Sequence, residues 1–373
     1  MAARGLVTAI ASKLALHSAS DYICSFLERL QMMRVMRDMK LIMESGATKT
    51  DCCLLDGAGE ICSRFTVSGI NVAVTSPETI SATVSEAASL VEHGASGCMG
   101  EQMPEDMCRH AGTSVRNSVS EIVFYGAGIV ETQGGAYPGS VETHRDVCPA
   151  NPGGGQCLPE YIRHLDGALG AAFPEAGREY HSDLMAAARG LCGSSPGIVA
   201  ILGTGSNSCR YDGEKVVENI RPGGFILGDE GSAAALGKMF LADYVKGLLP
   251  AGVSADFYRQ YSLDYAGVVR LVYGGGSPSR ALASLAPYIL GMSADEHVYG
   301  LVCSNFRNFI TRSLLRYGCA DEVRVTGSFG VAARDILCRV GSEYGIRFSG
   351  FLPSPMEALA RWHGATGSSG VRE

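Results

Sequence analysis

The chain writes one short pattern twice, and that repetition limits its fold more than any other feature. From Lys40 it runs "KLIMESG", "TKTDCCLLDG" and "EICSRFTVSG"; far downstream it runs "GIVAILGTG", "SNSCRYDG" and "EKVVENIRPGG". Short apolar runs bounded by Gly and Asp-Gly are strand and hairpin signals, so each copy reads as strand, glycine loop, strand, turn, strand. The loop glycines Gly46 and Gly203 lie 157 residues apart, and the turn aspartates Asp56 and Asp212 lie 156 apart. Unrelated hairpins have no reason to keep one spacing, so a duplicated unit is implied. A length of 373 residues fits two lobes, because a single hydrophobic core usually stops growing at about 250–300 residues.

Helical stretches separate and follow the two copies. "ETISATVSEAASLVEHG" puts Ile80, Val84, Ala87 and Val91 on one face. "SDLMAAARGLC", "GSAAALGKMFLADYVKGLL", "VYGLVCSNFRNFITRSLL" and "GVAARDILCRVGSEYG" also read as helices. "SPMEALARWH" opens on Ser354 and Pro355, a cap and first-turn pair. Strands followed by helices imply an α/β protein. The stretch 134–156 is rich in Gly and Pro without a period and reads as a surface loop or insertion. Residues 1–38 are helix-prone, precede a second plausible start at Met39, and read as an extension outside the fold.

Several classes fall away. Hydrophobic content of 46% with 18% charged residues describes a well-buried globular chain. A net charge of −7 without a local Lys/Arg cluster leaves no footprint for nucleic acid. No apolar run reaches the ~18–20 residues of a membrane span. The 13 cysteines are scattered and show no C-x-x-C pair, so buried thiols in a reducing, cytoplasmic setting are expected. Cys52 and Cys53, adjacent on a strand, should face opposite ways.

A glycine-rich turn can aim backbone N–H groups at an anion and let phosphate oxygens approach. The first loop, with Ser45, Gly46, Ala47, Thr48, Lys49 and Thr50, adds hydroxyls and an ammonium, and the leading Glu44 suits a hydrated Mg²⁺. The second offers Gly203, Thr204, Gly205 and Ser206 without a charge. A plain hairpin explains either loop alone about as well; their duplication favours two phosphate-facing hairpins gripping one nucleotide. Neither a Walker A sequence nor a G-x-G-x-x-G opening a helix after the first strand is present.

With "TGSFGVAARDIL" near the end, the two loops resemble the phosphate and adenosine motifs of the superfamily of acetate and sugar kinases, heat-shock chaperones and actin. More narrowly, "GIVAILGTGSNSCRYDG", "GGFILGDEGSAAALGK" and "SPMEALARWH" resemble the BadF/BadG/BcrA/BcrD-type ATPase family in its N-acetylglucosamine kinase branch, over nearly everything from Met39. The resemblance implies two ribonuclease H-like lobes with a nucleotide cleft between them. The first would cover 39–194 with 353–373 returning to it, and the second 195–352. It implies ATP and Mg²⁺ as cofactors, an amino-sugar acceptor phosphorylated at its 6-hydroxyl, and leaves a homodimer open.

Carried over by position, the resemblance makes Asp183 the base on the sugar hydroxyl; alone, this residue reads equally as a helix cap. Asn71 would contact sugar, or serve as a turn residue. Asp229 and Glu230 would bind sugar hydroxyls, with Asp229 also joining Glu44 at the metal, or act as helix-capping carboxylates. Gly327 and Ser328 would approach the adenosine, or mark a strand-to-helix turn. Glu44 stands where the family usually has Asp, and the 134–156 stretch is extra to the family. Two other readings stay open: an ATPase driving electron transfer to a dehydratase or reductase, which calls for a cluster-binding cysteine pair across a dimer that Cys148 in the loop and Cys157 at its end are not placed to supply, and a non-catalytic sugar sensor, against which the presence of Glu44 and Asp183 counts.

Overall fold

Both copies of the repeat fold as three-stranded antiparallel meanders, and each sheet then gains two strands parallel to its first. The computed structural model describes residues 38–98, 115–129, 159–318 and 322–367. Residues 1–37 of the expected extension, the 134–156 stretch with its Cys148, and the adjacent Cys157 lie outside the described residues. The first sheet holds β1 (Met39–Ser45), β2 (Lys49–Leu55), β3 (Ile61–Ser68), β4 (Val119–Gly126) and β5 (Gly177–Ser182) in the order β3-β2-β1-β4-β5. The second holds β6 (Gly197–Leu202), β7 (Ser206–Tyr211), β8 (Val216–Asn219), β9 (Glu322–Thr326) and β10 (Arg347–Leu352) in the order β10-β9-β6-β7-β8. Both sheets therefore follow one topology, the duplicated lobes of the actin-like ATPase fold.

The turn chemistry is duplicated as well. Asp56 Oδ1 accepts the N–H groups of Ala58 and Glu60 at 2.8 and 2.9 Å, and Asp212 Oδ1 accepts those of Glu214 and Lys215 at 2.9 and 2.8 Å. A side-chain carboxylate that closes its own turn in this way is why Asp recurs at both places.

Helices cover both faces of the first sheet, which is why β1 carries an unbroken run of buried apolar residues. Leu41 and Met43 face α1 (Pro77–Cys98) and α2 (Glu160–Ala172), where Ile80, Val84, Ala87 and Val91 are buried along one stripe as expected. Ile42 faces the other way, toward α3 (Asp183–Cys192). Cys52 and Cys53 part to these two opposite cores.

Helix α3 lies between the sheets and packs on strands of both. Ala186, Ala187 and Ala188 are fully buried there, because only small side chains let a helix approach two sheets at once. The second lobe adds α4 (Ala233–Val245), α5 (Pro278–Ala283), α6 (Glu296–Arg312), α7 (Ser328–Ala332) and α8 (Arg334–Ser342). Its core gathers Phe240, Phe257, Val302 and Phe306 against β6 and β9. The last helix, α9 (Met356–Gly367), packs on β1, β2 and α3. The chain thus crosses between the sheets at 193–196 and returns at 353–355. Among the described residues no helix is long and apolar enough to cross a membrane.

Candidate active site

A cleft of about 1300 Å³ opens between the sheets, and both glycine hairpins line it. Pockets for one drug-sized ligand span about 300–1,000 Å³, so this cleft has room for two substrates side by side. Its wall includes Glu44, Gly46, Ala47, Thr48 and Lys49 from the first hairpin and Gly203, Thr204, Gly205 and Ser206 from the second. Asn71, Asp183, Asp229, Gly327 and Ser328 complete the expected set that reaches it. The hairpins meet: Thr48 Oγ1 lies 3.2 Å from Thr204 Oγ1, and these two threonines are 156 residues apart, at the spacing of the repeat.

Strand alternation decides which loop side chains face the cleft. In the β1–β2 pair Glu44 is opposite Asp51 and Ser45 opposite Thr50, and each such pair shares a face. Glu44 and Asp51 lie on the α3 side with Ile42 and Cys53.

Ser45 and Thr50 point the other way and do not line the cleft, which corrects their expected phosphate role. Their hydroxyls lie 2.7 Å apart; Thr50 donates to the Ser68 carbonyl at 2.8 Å, and Ser45 accepts the Ile70 N–H at 2.7 Å. They brace segment 68–71 beneath the loop, where a Cβ on Gly69 would come within 2.6 Å of the Gly46 carbonyl oxygen. Ser45→Ala is expected to cost about 1–3 kcal/mol, the penalty for leaving buried polar partners unsatisfied, in urea unfolding. A loss under about 0.5 kcal/mol would remove the brace from this account.

The second hairpin is anchored differently. The first amides of α4, Ala233 and Ala234, donate to the carbonyls of Gly203 and Thr204 at 3.0 and 3.1 Å. Ser206 touches the cleft, yet its hydroxyl donates to the Glu230 carbonyl at 2.7 Å and its N–H bonds to the Asp229 carboxylate, so it supports the hairpin before it serves the expected phosphate role. At Gly205 a Cβ would sit 2.9 Å from Asp229 Oδ2, so any side chain there would push this carboxylate aside.

Asp229 is buried and holds a left-handed φ of 55°, a conformation that costs a non-glycine residue energy and recurs at functional sites. Glu230, expected to contact sugar, does not line the cleft; its carboxylate pairs with Arg312 at 2.9 Å. The turn at Asp229 sends the two neighbouring carboxylates to different places.

Helix α3 presents Asp183 at its first turn, with Ser182 Oγ capping the helix by accepting the Met185 N–H at 3.2 Å. Burial pushes the Asp183 carboxyl up to about 6, against the pull of nearby amide N–H groups. Burial likewise raises Asp229 to about 6, with Glu230 and Asp183 adding to the shift and the Ser206 N–H opposing it. Glu44 is driven to about 8, first by burial and then by Asp51 and Asp183, with Lys49 opposing. Carboxylates that raise one another's proton affinity in this way form a site that gains from an added cation. Among the described residues no three Asp, Glu, His or Cys side chains form a metal cage. The all-oxygen donors Glu44 and Asp229 suit Mg²⁺ held mainly by phosphate and water.

Asn71 both lines the cleft and closes a turn, its Oδ1 accepting the Ala73 N–H at 3.0 Å. Lys49, expected on phosphate, rests on Asp51 at 2.8 Å. Asp51, Asn207, the Ala127–Gly128–Ile129 wall and the crossing residues Pro353, Ser354 and Pro355 line the cleft as well, outside the set expected from the sequence. The wall was findable. "YGAG" ends β4 as "TGSFG" follows β9, so the repeat extends one strand beyond the meander.

No family model matches the chain, and neither does any curated protein. Among solved structures it is similar to a candidate N-acetylglucosamine kinase from Porphyromonas gingivalis, with 33% identity, coverage of 87% of this chain and 98% of that one, and a TM-score of 0.68. A second candidate N-acetylglucosamine kinase, from Chromobacterium violaceum, shares the fold at 16% identity, coverage of 88% and 99%, and a TM-score of 0.61.

Proposed function

The chain belongs to the same family as the Porphyromonas gingivalis protein, within the actin-like ATPase superfamily, and from that premise we propose that it is an ATP-dependent sugar kinase. The acceptor is an amino sugar, N-acetylglucosamine at its 6-hydroxyl. One observation carries the reading: both glycine hairpins and the helix-borne Asp183 open into a single cleft large enough for nucleotide and sugar.

In this reading the loop amides of Ala47–Thr48 and Thr204–Gly205 hold the phosphates, while the Gly46 and Gly203 amides close the hairpins by donating to the Lys49 and Gly205 carbonyls at 3.0 and 2.9 Å, and Gly327 and Ser328 border the adenosine. Asn71 and Asp229 orient the sugar. Asp183 takes the proton of the acceptor hydroxyl as its oxygen attacks the γ-phosphorus; the bond to the β–γ bridging oxygen breaks and ADP leaves. Mg²⁺ near Glu44 and Asp229 would neutralise charge on the transferring phosphoryl group. In this reading the two lobes divide at the chain crossings, 193–196 and 353–355, with α9 assigned to the first lobe.

The test is ADP release with ATP and Mg²⁺ across N-acetylglucosamine, glucosamine, N-acetylmannosamine, glucose and no sugar. Turnover that requires a sugar and is fastest with N-acetylglucosamine supports the proposal. Release indifferent to every sugar would sink it and move the reading to an ATPase that serves a partner protein.

A further inference from the structure

We infer that Asp51 is a positioning residue that sets the availability of the loop cation Lys49 and ties the returning chain crossing to the state of the cleft, an inference that rests on the phosphate-binding part of the reading above. Its carboxylate is fully engaged. Oδ2 accepts from Lys49 Nζ at 2.8 Å and from Ser354 Oγ at 3.0 Å, while Oδ1 accepts from Lys49 Nζ at 3.0 Å and from Thr66 Oγ1 at 3.2 Å.

The two members of the ion pair are unequal. The Lys49 side chain is 58% exposed and the Asp51 side chain 14%. The acid is therefore the fixed anchor, held from β3 and from the crossing, and the lysine is the partner free to leave. Lys49 is also the cation of the first hairpin, so a polyphosphate entering between the hairpins competes with Asp51 for that ammonium.

Ser354 extends the effect. It lies 303 residues from Asp51, between Pro353 and Pro355 on the crossing that leaves β10, and its Oγ accepts the Met356 N–H at 3.3 Å where α9 begins. The flanking prolines limit how this segment can bend. When phosphate draws Lys49 away, Asp51 keeps its full charge for Thr66 and Ser354. A hydrogen bond to an unshared carboxylate is stronger than one to a carboxylate already paired. Phosphate arrival thus tightens the grip of the first lobe on the crossing.

The test is titration calorimetry with inorganic tripolyphosphate on the full chain, comparing the native protein, Asp51→Asn, Lys49→Met and the double variant at one ionic strength. An exposed ion pair is worth about 0.2–1 kcal/mol, so releasing Lys49 should tighten binding by about threefold in Asp51→Asn. In the Lys49→Met background the same change should do nothing. Tightening of equal size in both backgrounds would mean only that a negative charge was removed, and weaker binding in Asp51→Asn would mean a structural role; either overturns the proposal, as does failure of all four proteins to bind.

For the crossing, hydrogen exchange at residues 356–359 should slow on adding tripolyphosphate to the native protein and not in Ser354→Ala. Unchanged exchange in the native protein refutes the coupling. No sugar or turnover enters these measurements, so the sugar-kinase reading is judged separately by sugar-dependent ADP release.

Discussion

Asp183→Asn is expected to lower kcat by at least ~10²-fold while leaving KM for ATP within about threefold, because a positioned general base contributes roughly 10²–10⁴-fold and Asn cannot take a proton. The same carboxyl predicts the pH profile. Burial holds it at about 6, and the base must be ionised to act, so native activity should rise as pH passes upward through about 6.

Stability should move in the opposite direction. The ordinary value of this carboxyl is 3.8, so between there and about 6 the folded protein holds a proton that the unfolded chain has released. Folding is therefore penalised increasingly as pH rises across that window, and the penalty is complete above it. Asn carries no such penalty, so the variant should melt no lower than the native protein at pH 8. An inactive variant that melts several degrees lower would point to lost structure, and a fall in kcat under about tenfold would remove Asp183 from the base role.

Gly327→Ala should destabilise the protein by about 2–6 kcal/mol, combining backbone strain of about 1–3 kcal/mol with overpacking of similar size. Gly327 sits at φ 112° between β9 and α7, and a Cβ there would lie 2.4 Å from the Leu202 carbonyl oxygen and 3.1 Å from the Gly203 nitrogen. Neither neighbour is a flexible side-chain end; both are backbone at the base of the second hairpin. The added methyl should thus displace that hairpin and raise KM for ATP in whatever fraction still folds. A urea midpoint shift worth less than about 1 kcal/mol would show that the turn can yield.

How much of this was legible beforehand depended on the range over which each signal acts. The two strand–glycine–strand units, their turn aspartates and the stripe through Ile80, Val84, Ala87 and Val91 are each written in a few neighbouring residues, and the structure carries all three. The inward turn of Ser45 and Thr50 was legible too, since alternation along β1 and β2 puts them on the other face of the sheet from Glu44 and Asp51. Taken as one polar surface, the loop hides that distinction.

Other features could not be read along the chain. The Glu230–Arg312 ion pair, the Asp51–Ser354 hydrogen bond and the Arg280 guanidinium donating to the Ala47 carbonyl at 3.1 Å join residues that share no sequence pattern. The proton affinities of Glu44, Asp183 and Asp229 depend on how much water the assembled lobes exclude. By itself, then, the sequence determined two copies of one strand unit, their glycine hairpins and the faces of their helices, because propensity and periodicity act over a few residues. Only the tertiary structure decided which carboxylates meet, which are neutralised by partners and which retain a raised proton affinity, because desolvation and charge pairing are properties of neighbours brought together by folding.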